Sequence, residues 1–303
     1  MKSIRIGTRG STLALAQSAW VKGKIAEQYP DASIETILIH TSGDRFSEAS
    51  VKAIGGKGIF TKEIEDALLK SEIDIAVHSM KDLPTELPAR LVVAVVPQRE
   101  DPRDVLVSAN GTKLNQLLSK ARIGTGSLRR AAQILHYRGD LLVVPIRGNV
   151  DTRLKKLDRG EYDALVMAAA GLKRIGREER IAEYVPSDVC LGAAGQGALG
   201  LESREEESIR EELSFLHDSA TFAEVTAERA FLKRLGGGCH VPVGARGVAE
   251  GEKLTLFGVV ANPDGSSLFR GEIPGCAAHA EELGCELAER LLSQGAQKIL
   301  VAQ

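Results

Sequence analysis

The chain has 303 residues, of which 43% are hydrophobic and 26% charged, the balance of an ordinary folded protein and not of a disordered chain, a collagen-like repeat or a coiled coil. With 39 basic and 41 acidic residues the net charge is −2, so nothing global asks for a nucleic-acid or membrane partner. The longest apolar runs, Leu91 to Val96 and Ala164 to Leu172, fall well short of the roughly 20 residues of a membrane span, and no signal-peptide core follows Met1, which makes the cytoplasm the expected compartment.

The length suggests about two domains, or three if they are small. In chain order, short apolar runs alternate with segments of helical period, the pattern of an α/β chain with mostly parallel strands. Strands are predicted at Ser3 to Gly7, Ile34 to His40, Asp74 to His78, Leu91 to Pro97, Asp104 to Val107, Arg122 to Gly124, Leu141 to Ile146 and Tyr162 to Ala168. Ser11 is placed to cap a helix through Gln28, Thr61 one through Lys70, and Ser127 one through Arg138, because a hydroxyl at that position can accept from the free N–H groups of the first turn. The stretches Pro97 to Arg103 and Leu191 to Leu199 read as crossovers and candidate hinges between units. After Asp218 a helix is predicted to Leu235, followed by strands near Val243 to Val248, Leu254 to Asn262 and Ser267 to Ile273, with Pro263-Asp264-Gly265 as a hairpin turn. A last amphipathic helix spans about Ala277 to Ser293, an order that suits a small α+β domain.

One internal echo bears on the architecture. Ile6-Gly7-Thr8-Arg9-Gly10-Ser11 and Ile123-Gly124-Thr125-Gly126-Ser127 both read as strand, glycine turn and Ser-capped helix. Two similar α/β units would explain them, although the spacing to the next matching pair, at Asp74 to Val77 and Asp163 to Val166, differs. Divergent duplication and coincidence both fit.

Four stretches could carry chemistry. His78-Ser79-Met80-Lys81-Asp82 sits at the C-terminal end of a predicted strand, where open parallel sheets present functional groups. There Asp82 beside Lys81 could stabilise a developing cation or pass a proton to a leaving amine, or the pair could be a solvated surface ion pair. Gly124 to Arg130 and Arg147 to Arg153 each join a turn at a helix start to guanidinium groups, inside a segment from Arg122 to Arg180 that holds ten Arg and three Lys against seven acidic residues, a local charge of +6. Free helix N–H groups and Arg both bind carboxylate or phosphate, while Arg on exposed faces paired with acids is the bland alternative. Gly55-Gly56-Lys57-Gly58-Ile59-Phe60 lacks the spacing of a P-loop and reads equally as a loop that carries Lys57 to an anion or as a flexible turn. Gly236-Gly237-Gly238-Cys239-His240 leaves room for a large group to approach a sulfur, although most lone cysteines are inert. The four cysteines form no C-x-x-C pair, which argues against both a zinc site and a disulfide framework. Cys190, Cys276 and Cys285 are expected simply to pack.

Taken together, Arg9 and Ser11, Gly55 to Phe60, Ala76 to Asp82, Arg99 to Asp104, Gly124 to Arg130, Arg147 to Arg153, Gly192 to Leu199 and Gly237-Gly238-Cys239 resemble the porphobilinogen deaminase (hydroxymethylbilane synthase) family over nearly the whole chain. The resemblance implies a transferase that joins four porphobilinogen molecules head to tail, releasing ammonia at each step, to give hydroxymethylbilane. It implies a dipyrromethane cofactor bound through a thioether to Cys239, with Ser79, Lys81, Asp82, Thr125, Ser127, Arg129, Arg130, Arg147 and Gly148 around it. Asp82, aided by Lys81, would protonate the departing amine and stabilise positive charge on the pyrrole nitrogen. Arg9, Ser11, Lys57, Phe60, Arg147, Arg153, Arg174 and Gln196 would bind substrate and the growing polyanionic chain.

The implied fold is α/β: two similar α/β units of periplasmic-binding-protein type plus a small α+β C-terminal domain. The expected division is residues 1–97 with 198–216, 103–192 and 219–303. No metal, nucleic acid or membrane is expected, and the chain is expected to be a monomer. Departures from the family pattern fall at Gly126, where a serine is usual, at Gly236, where a glutamate is usual, and at His240 and Ala53; they leave contact details open without removing a catalytic group. Two other classes compete. An anion receptor on the same scaffold needs the Arg turns but not Asp82 and Cys239 together, and a thiol hydrolase using Cys239 and His240 would carry no bound pyrrole.

Overall fold

A computed structural model describes residues 1–41, 61–205, 208–236 and 241–301. Ala53, Lys57, Phe60, Cys239 and His240 lie outside the described residues. Up to Val95 the elements are β1 (Ser3–Thr8), α1 (Thr12–Gln28), β2 (Ser33–Leu38), α2 (Lys62–Leu69), β3 (Ile75–Ser79) and β4 (Leu91–Val95). Then come β5 (Asp104–Ser108), β6 (Arg122–Gly124), α3 (Leu128–Tyr137), β7 (Leu142–Val144), α4 (Val150–Asp158), β8 (Ala164–Ala168), α5 (Ala169–Arg174) and β9 (Glu183–Tyr184). The rest of the chain forms β10 (Leu199–Arg204), α6 (Ile209–Glu212), α7 (Ser219–Arg234), β11 (Val243–Glu250), β12 (Lys253–Ala261), β13 (Leu268–Cys276), α8 (Ala280–Leu291) and α9 (Gln297–Val301). Among the described residues no helix is long and apolar enough to cross a membrane.

The chain divides into two compact units, Met1–Arg99 with Ala198–Phe222, and Glu100–Gly197 with Ala223–Gln303. The first holds a sheet of order β2-β1-β3-β10-β4; the second holds a sheet of order β7-β6-β8-β5-β9 and a three-stranded sheet β11-β12-β13. Both five-stranded sheets follow one plan. β1 pairs in parallel with β2 and β3, and β6 with β7 and β8, whereas β10 and β5 run antiparallel to both their neighbours. The expected mostly parallel sheet is thereby corrected to a mixed one. The cause lies in the connections: β5 and β10 each follow a point where the chain passes from one unit to the other, so neither is tied to its neighbour by a right-handed βαβ crossover that would force it parallel. The shared plan also accounts for the echo between the Ile6 and Ile123 segments.

Two of the three predicted caps form. Ser11 is extended (φ −73°, ψ 146°) and its hydroxyl accepts from the Ala14 N–H at 3.3 Å, and Ser127 accepts from the Arg130 N–H at 3.4 Å. Thr61 does not cap, because its backbone is already helical (φ −116°, ψ −29°) and a capping side chain needs the extended conformation. β10 went unpredicted since Glu202, Ser203 and Arg204 read as surface residues; they are 0%, 1% and 8% exposed.

Separate apolar clusters hold the sheets. Ile4, Ile6, Val77 and Leu201 pack with Val21 and Ile25 of α1 on one face of the first sheet, and Ala76 packs with Ile64 and Leu68 of α2 on the other. The second sheet is covered likewise on two faces. The three-stranded sheet buries Leu256 and Val260 against Phe231 of α7 and Leu287 of α8. The predicted Pro263-Asp264-Gly265 turn is present, with Gly265 at φ +75° and its N–H bonded to the Asn262 carbonyl at 2.8 Å. The segment from Leu191 to Leu199, a candidate hinge by its glycines, is largely buried, and the chain passes from one unit to the other within it, at Gly197–Ala198. Glu228 of α7, fully buried, accepts from the Gly195 N–H at 2.6 Å and from the Gly247 N–H at 2.8 Å, tying that segment to β11.

Candidate active site

In the first unit, the ends of β1 and β3 carry the predicted groups. Met80 to Asp82 form a single 3-10 turn after β3. Met80 and Leu83 are buried at 3% and 4% exposure, while Asp82 between them is exposed and Lys81 half-buried. The turn is pinned from below: the Met80 N–H donates to the Ala198 carbonyl at 3.0 Å, and the Leu83 N–H to the Met80 carbonyl at 3.3 Å. Burial of both flanking apolar side chains thus forces the ion-forming pair outward. Ser79 Oγ accepts from Gln17 Nε2 at 2.8 Å. Gln17, a buried polar residue of α1, is a contributor that the sequence alone did not single out. Arg9 follows β1 and Ser11 caps α1, so the Ser11 oxygen is engaged with the backbone while its proton stays available.

In the second unit, Thr125 and Ser127 form the turn between β6 and α3. The Thr125 N–H donates to the Val144 carbonyl at 3.1 Å, and Thr125 Oγ1 accepts from the Ser127 N–H at 3.2 Å. Gly126 suits this closeness, since a Cβ there would lie 2.9 Å from the Ile146 carbonyl oxygen. The neighbouring turn, Arg147 to Asn149, opens α4, and the Asn149 side chain caps that helix by accepting from the Thr152 N–H at 2.9 Å. Gly148 sits at φ +111°, where a Cβ would meet Thr152 Cγ2 at 2.6 Å; glycine alone fits. Arg147 is exposed, and Arg153 Nε donates to the Gly148 carbonyl at 2.8 Å. Arg174, at the end of α5, donates to the Gly197 carbonyl at 2.6 Å. Burial pushes its pKa down to about 10, against the opposing pull of Glu100.

Arg129 and Arg130 have a more internal setting than their motif suggests. Both are buried, at 5% and 6% exposure, on a fully buried Asp104. Arg129 Nη1 lies 2.5 Å from Asp104 Oδ2, and Arg130 Nη2 lies 2.7 Å from Asp104 Oδ1. Gln196 joins them, with Nε2 donating to Asp104 Oδ1 at 3.0 Å and to the Pro102 carbonyl at 2.7 Å. Burial alone would raise the Asp104 pKa, but the two guanidiniums outweigh it and hold the carboxyl well below the usual range. One carboxylate between two guanidiniums leaves a net positive charge in the first turn of α3. Asp104 belongs to the Arg99 to Asp104 motif but was not singled out; an acid at the head of the apolar run Val105 to Val107 is the signal that could have found it.

Cys190 closes this cluster. Its thiol donates to Asp104 Oδ2 at 3.3 Å, and burial, with Asp104 adding to it, pushes its pKa up to about 12. Since the thiolate is the nucleophile, iodoacetamide at neutral pH is expected to leave Cys190 unmodified in the folded chain and to reach the exposed Cys276. Peptide mass mapping checks this, and rapid labelling of Cys190 without denaturant would contradict it.

A carboxylate turn in the first unit, and helix-start turns with guanidinium groups in the second, follow strands of two alike mixed sheets and mark the chain as an α/β protein. Residues 4–212 match the family model described as porphobilinogen deaminase, dipyromethane cofactor binding domain, and residues 222–293 match the porphobilinogen deaminase C-terminal domain. The chain belongs to the porphobilinogen deaminase family. It is 50% identical over 301 residues to the porphobilinogen deaminase of Syntrophotalea carbinolica, covering 99% of this chain and 96% of that protein. It is also 50% identical over 298 residues to that of Syntrophus aciditrophicus, covering 98% and 97%. Among solved structures, the periplasmic aliphatic sulphonate binding protein SsuA from Escherichia coli is similar at 14% identity and a TM-score of 0.41, covering 77% of this chain and 70% of that one.

Proposed function

We propose that this chain joins four porphobilinogen molecules head to tail to give hydroxymethylbilane, on a dipyrromethane primer held through a thioether to Cys239. The observation that carries the reading is the outward presentation of Asp82 by the buried Met80 and Leu83, in a chain of this family. In each step a carbon–carbon bond forms between the aminomethyl carbon of the incoming molecule and the free α-carbon of the terminal pyrrole. The carbon–nitrogen bond of the incoming molecule breaks, the amine leaves as ammonia with a proton taken from Asp82, and the attacking α-carbon loses its own proton, which returns to that carboxylate. Asp82 supplies the proton to the departing amine, and its carboxylate then faces the positive charge that develops on the pyrrole nitrogen. Lys81 and Ser79 orient groups beside it.

The residues of the second unit fit the proposed cofactor, whose acetate and propionate arms are carboxylates. Exposed Arg147 and the turn to Asn149 make a cationic cradle at the start of α4, where a guanidinium and helix N–H groups can meet those carboxylates. The Thr125 to Ser127 turn stands at a helix start backed by the excess positive charge of Arg129 and Arg130. When bound, the dipyrromethane supplies the pyrrole carbon to which the first substrate is joined. Arg9, Ser11, Lys57, Phe60, Arg153, Arg174 and Gln196 are assigned to substrate and the lengthening chain. Three domains, residues 1–97 with 198–216, 103–192 and 219–303, are supported by the separate sheets and their separate apolar clusters. A cytoplasmic monomer completes the proposal.

Arg147→Ala tests the cradle. The side chain is exposed, so thermal stability is expected to hold, while porphobilinogen consumption falls about tenfold or more for loss of a charge-assisted contact worth about 1.5–3 kcal/mol. A variant that elongates at the parent rate removes Arg147 from the site.

A further inference from the structure

His78, Glu202 and Glu65 make a buried titratable cluster in the first unit to which the reading above gives no task. His78 is the penultimate residue of β3, and Glu202 lies on the antiparallel neighbour β10. The register pairs His78 with Gly200 and Ala76 with Glu202, so both side chains stand on the same sheet face. That face is covered by α2, whose Glu65 turns inward; the three residues are 7%, 0% and 8% exposed. His78 Nε2 lies 2.9 Å from Glu202 Oε2, a close polar contact that is not aligned as a hydrogen bond. Burial lifts the pKa of Glu65 above its ordinary range, reinforced by the charge of Glu202 and opposed by Thr61 and His78.

Two features connect this cluster with the reacting turn. The ladder between β10 and β4 shifts register at Leu201/Glu202, so the pairing on that side is irregular next to the residue that reaches His78. On the other side, the first residues after His78 are the turn itself, whose Met80 N–H depends on the Ala198 carbonyl just before β10. A slip of β10 against β3 would therefore move Asp82.

We infer that the His78–Glu202 pair is a positioning device that locks β10 to the end of β3 and so fixes where the Ser79 to Asp82 turn presents its carboxylate. The inference rests on the catalytic reading of Asp82. Neither side chain touches the reacting atoms. Buried ion pairs contribute little net stability compared with apolar replacements of similar size, and setting register is their best-attested use.

The test uses the full chain carrying its cofactor, in two variants. His78→Leu/Glu202→Leu replaces both partners and leaves no unpaired buried charge, and Glu202→Gln keeps the size of the side chain and a polar group facing His78. In the double variant, amide hydrogen exchange over residues 76–83 is expected to quicken about tenfold or more. Its kcat for porphobilinogen should fall by about 10- to 100-fold, as misplacement of a reacting group by an ångström would cause, with KM and the denaturation midpoint close to the parent values. Glu202→Gln should restore slow exchange and most of kcat. Parent-like exchange in the double variant overturns the inference, and so does quickened exchange with an unchanged kcat. A loss of kcat that Glu202→Gln fails to rescue also overturns it. If the parent chain consumes no porphobilinogen, the catalytic reading fails on its own, and the exchange arm still decides whether the pair holds the turn.

Discussion

Asp82→Asn is expected to slow porphobilinogen consumption by a factor of about 100 to 10,000, the range that a positioned acid–base group contributes, while the chain stays folded and loaded. Asn matches the carboxylate in shape but can neither give a proton to the departing amine nor offset a positive charge on the pyrrole nitrogen. Folding should be indifferent, because Asp82 is exposed and the turn is held by the buried Met80 and Leu83 and by the Met80 N–H bond to the Ala198 carbonyl. Single-turnover assays with purified variant would separate a loss of chemistry from a loss of binding. Turnover at the parent rate would remove Asp82 from the mechanism.

Asp104→Ala is expected to be the most damaging of the substitutions considered to the fold of the second unit. It leaves Arg129 and Arg130, both buried, facing each other without an anion, and breaking a buried ion pair by removing one partner costs about 3–5 kcal/mol. It also takes an acceptor from Gln196 and from the Cys190 thiol. Urea denaturation should show the midpoint falling steeply, and Asp104→Asn, which keeps the shape and some of the hydrogen bonds, should lose less. A midpoint like that of the parent would contradict the role given to this carboxylate. The pH dependence has a definite sign. The carboxyl is held below its ordinary value of 3.8, so its contribution is complete above that value and is lost as the pH falls from there through the depressed one.

Much of this was legible in the sequence wherever local and tertiary demands agree. Ser11 and Ser127 announce their helices because a capping hydroxyl acts within a single turn, and the two glycine turns they follow prefigure the shared plan of the two large sheets. Thr61 failed as a cap because its backbone is already helical, a conformation that residue type alone does not reveal. β10 was invisible for a related reason. Its charged residues find polar neighbours inside the protein, Glu202 lying against His78 and Arg204 donating to the Ile73 carbonyl at 2.9 Å, whereas such residues are ordinarily expected at the surface. Arg129 and Arg130 show the same limit. Their motif signals an anion, and the structure supplies one from within, 25 residues away from Arg129 along the chain.

Attachment of the proposed dipyrromethane primer to Cys239 is read directly by intact-protein mass. The purified chain should exceed its sequence mass by one dipyrromethane and give a positive Ehrlich reaction for pyrroles, and Cys239→Ala should show neither. An unmodified mass in a chain that remains pyrrole-negative after incubation with porphobilinogen would contradict the account.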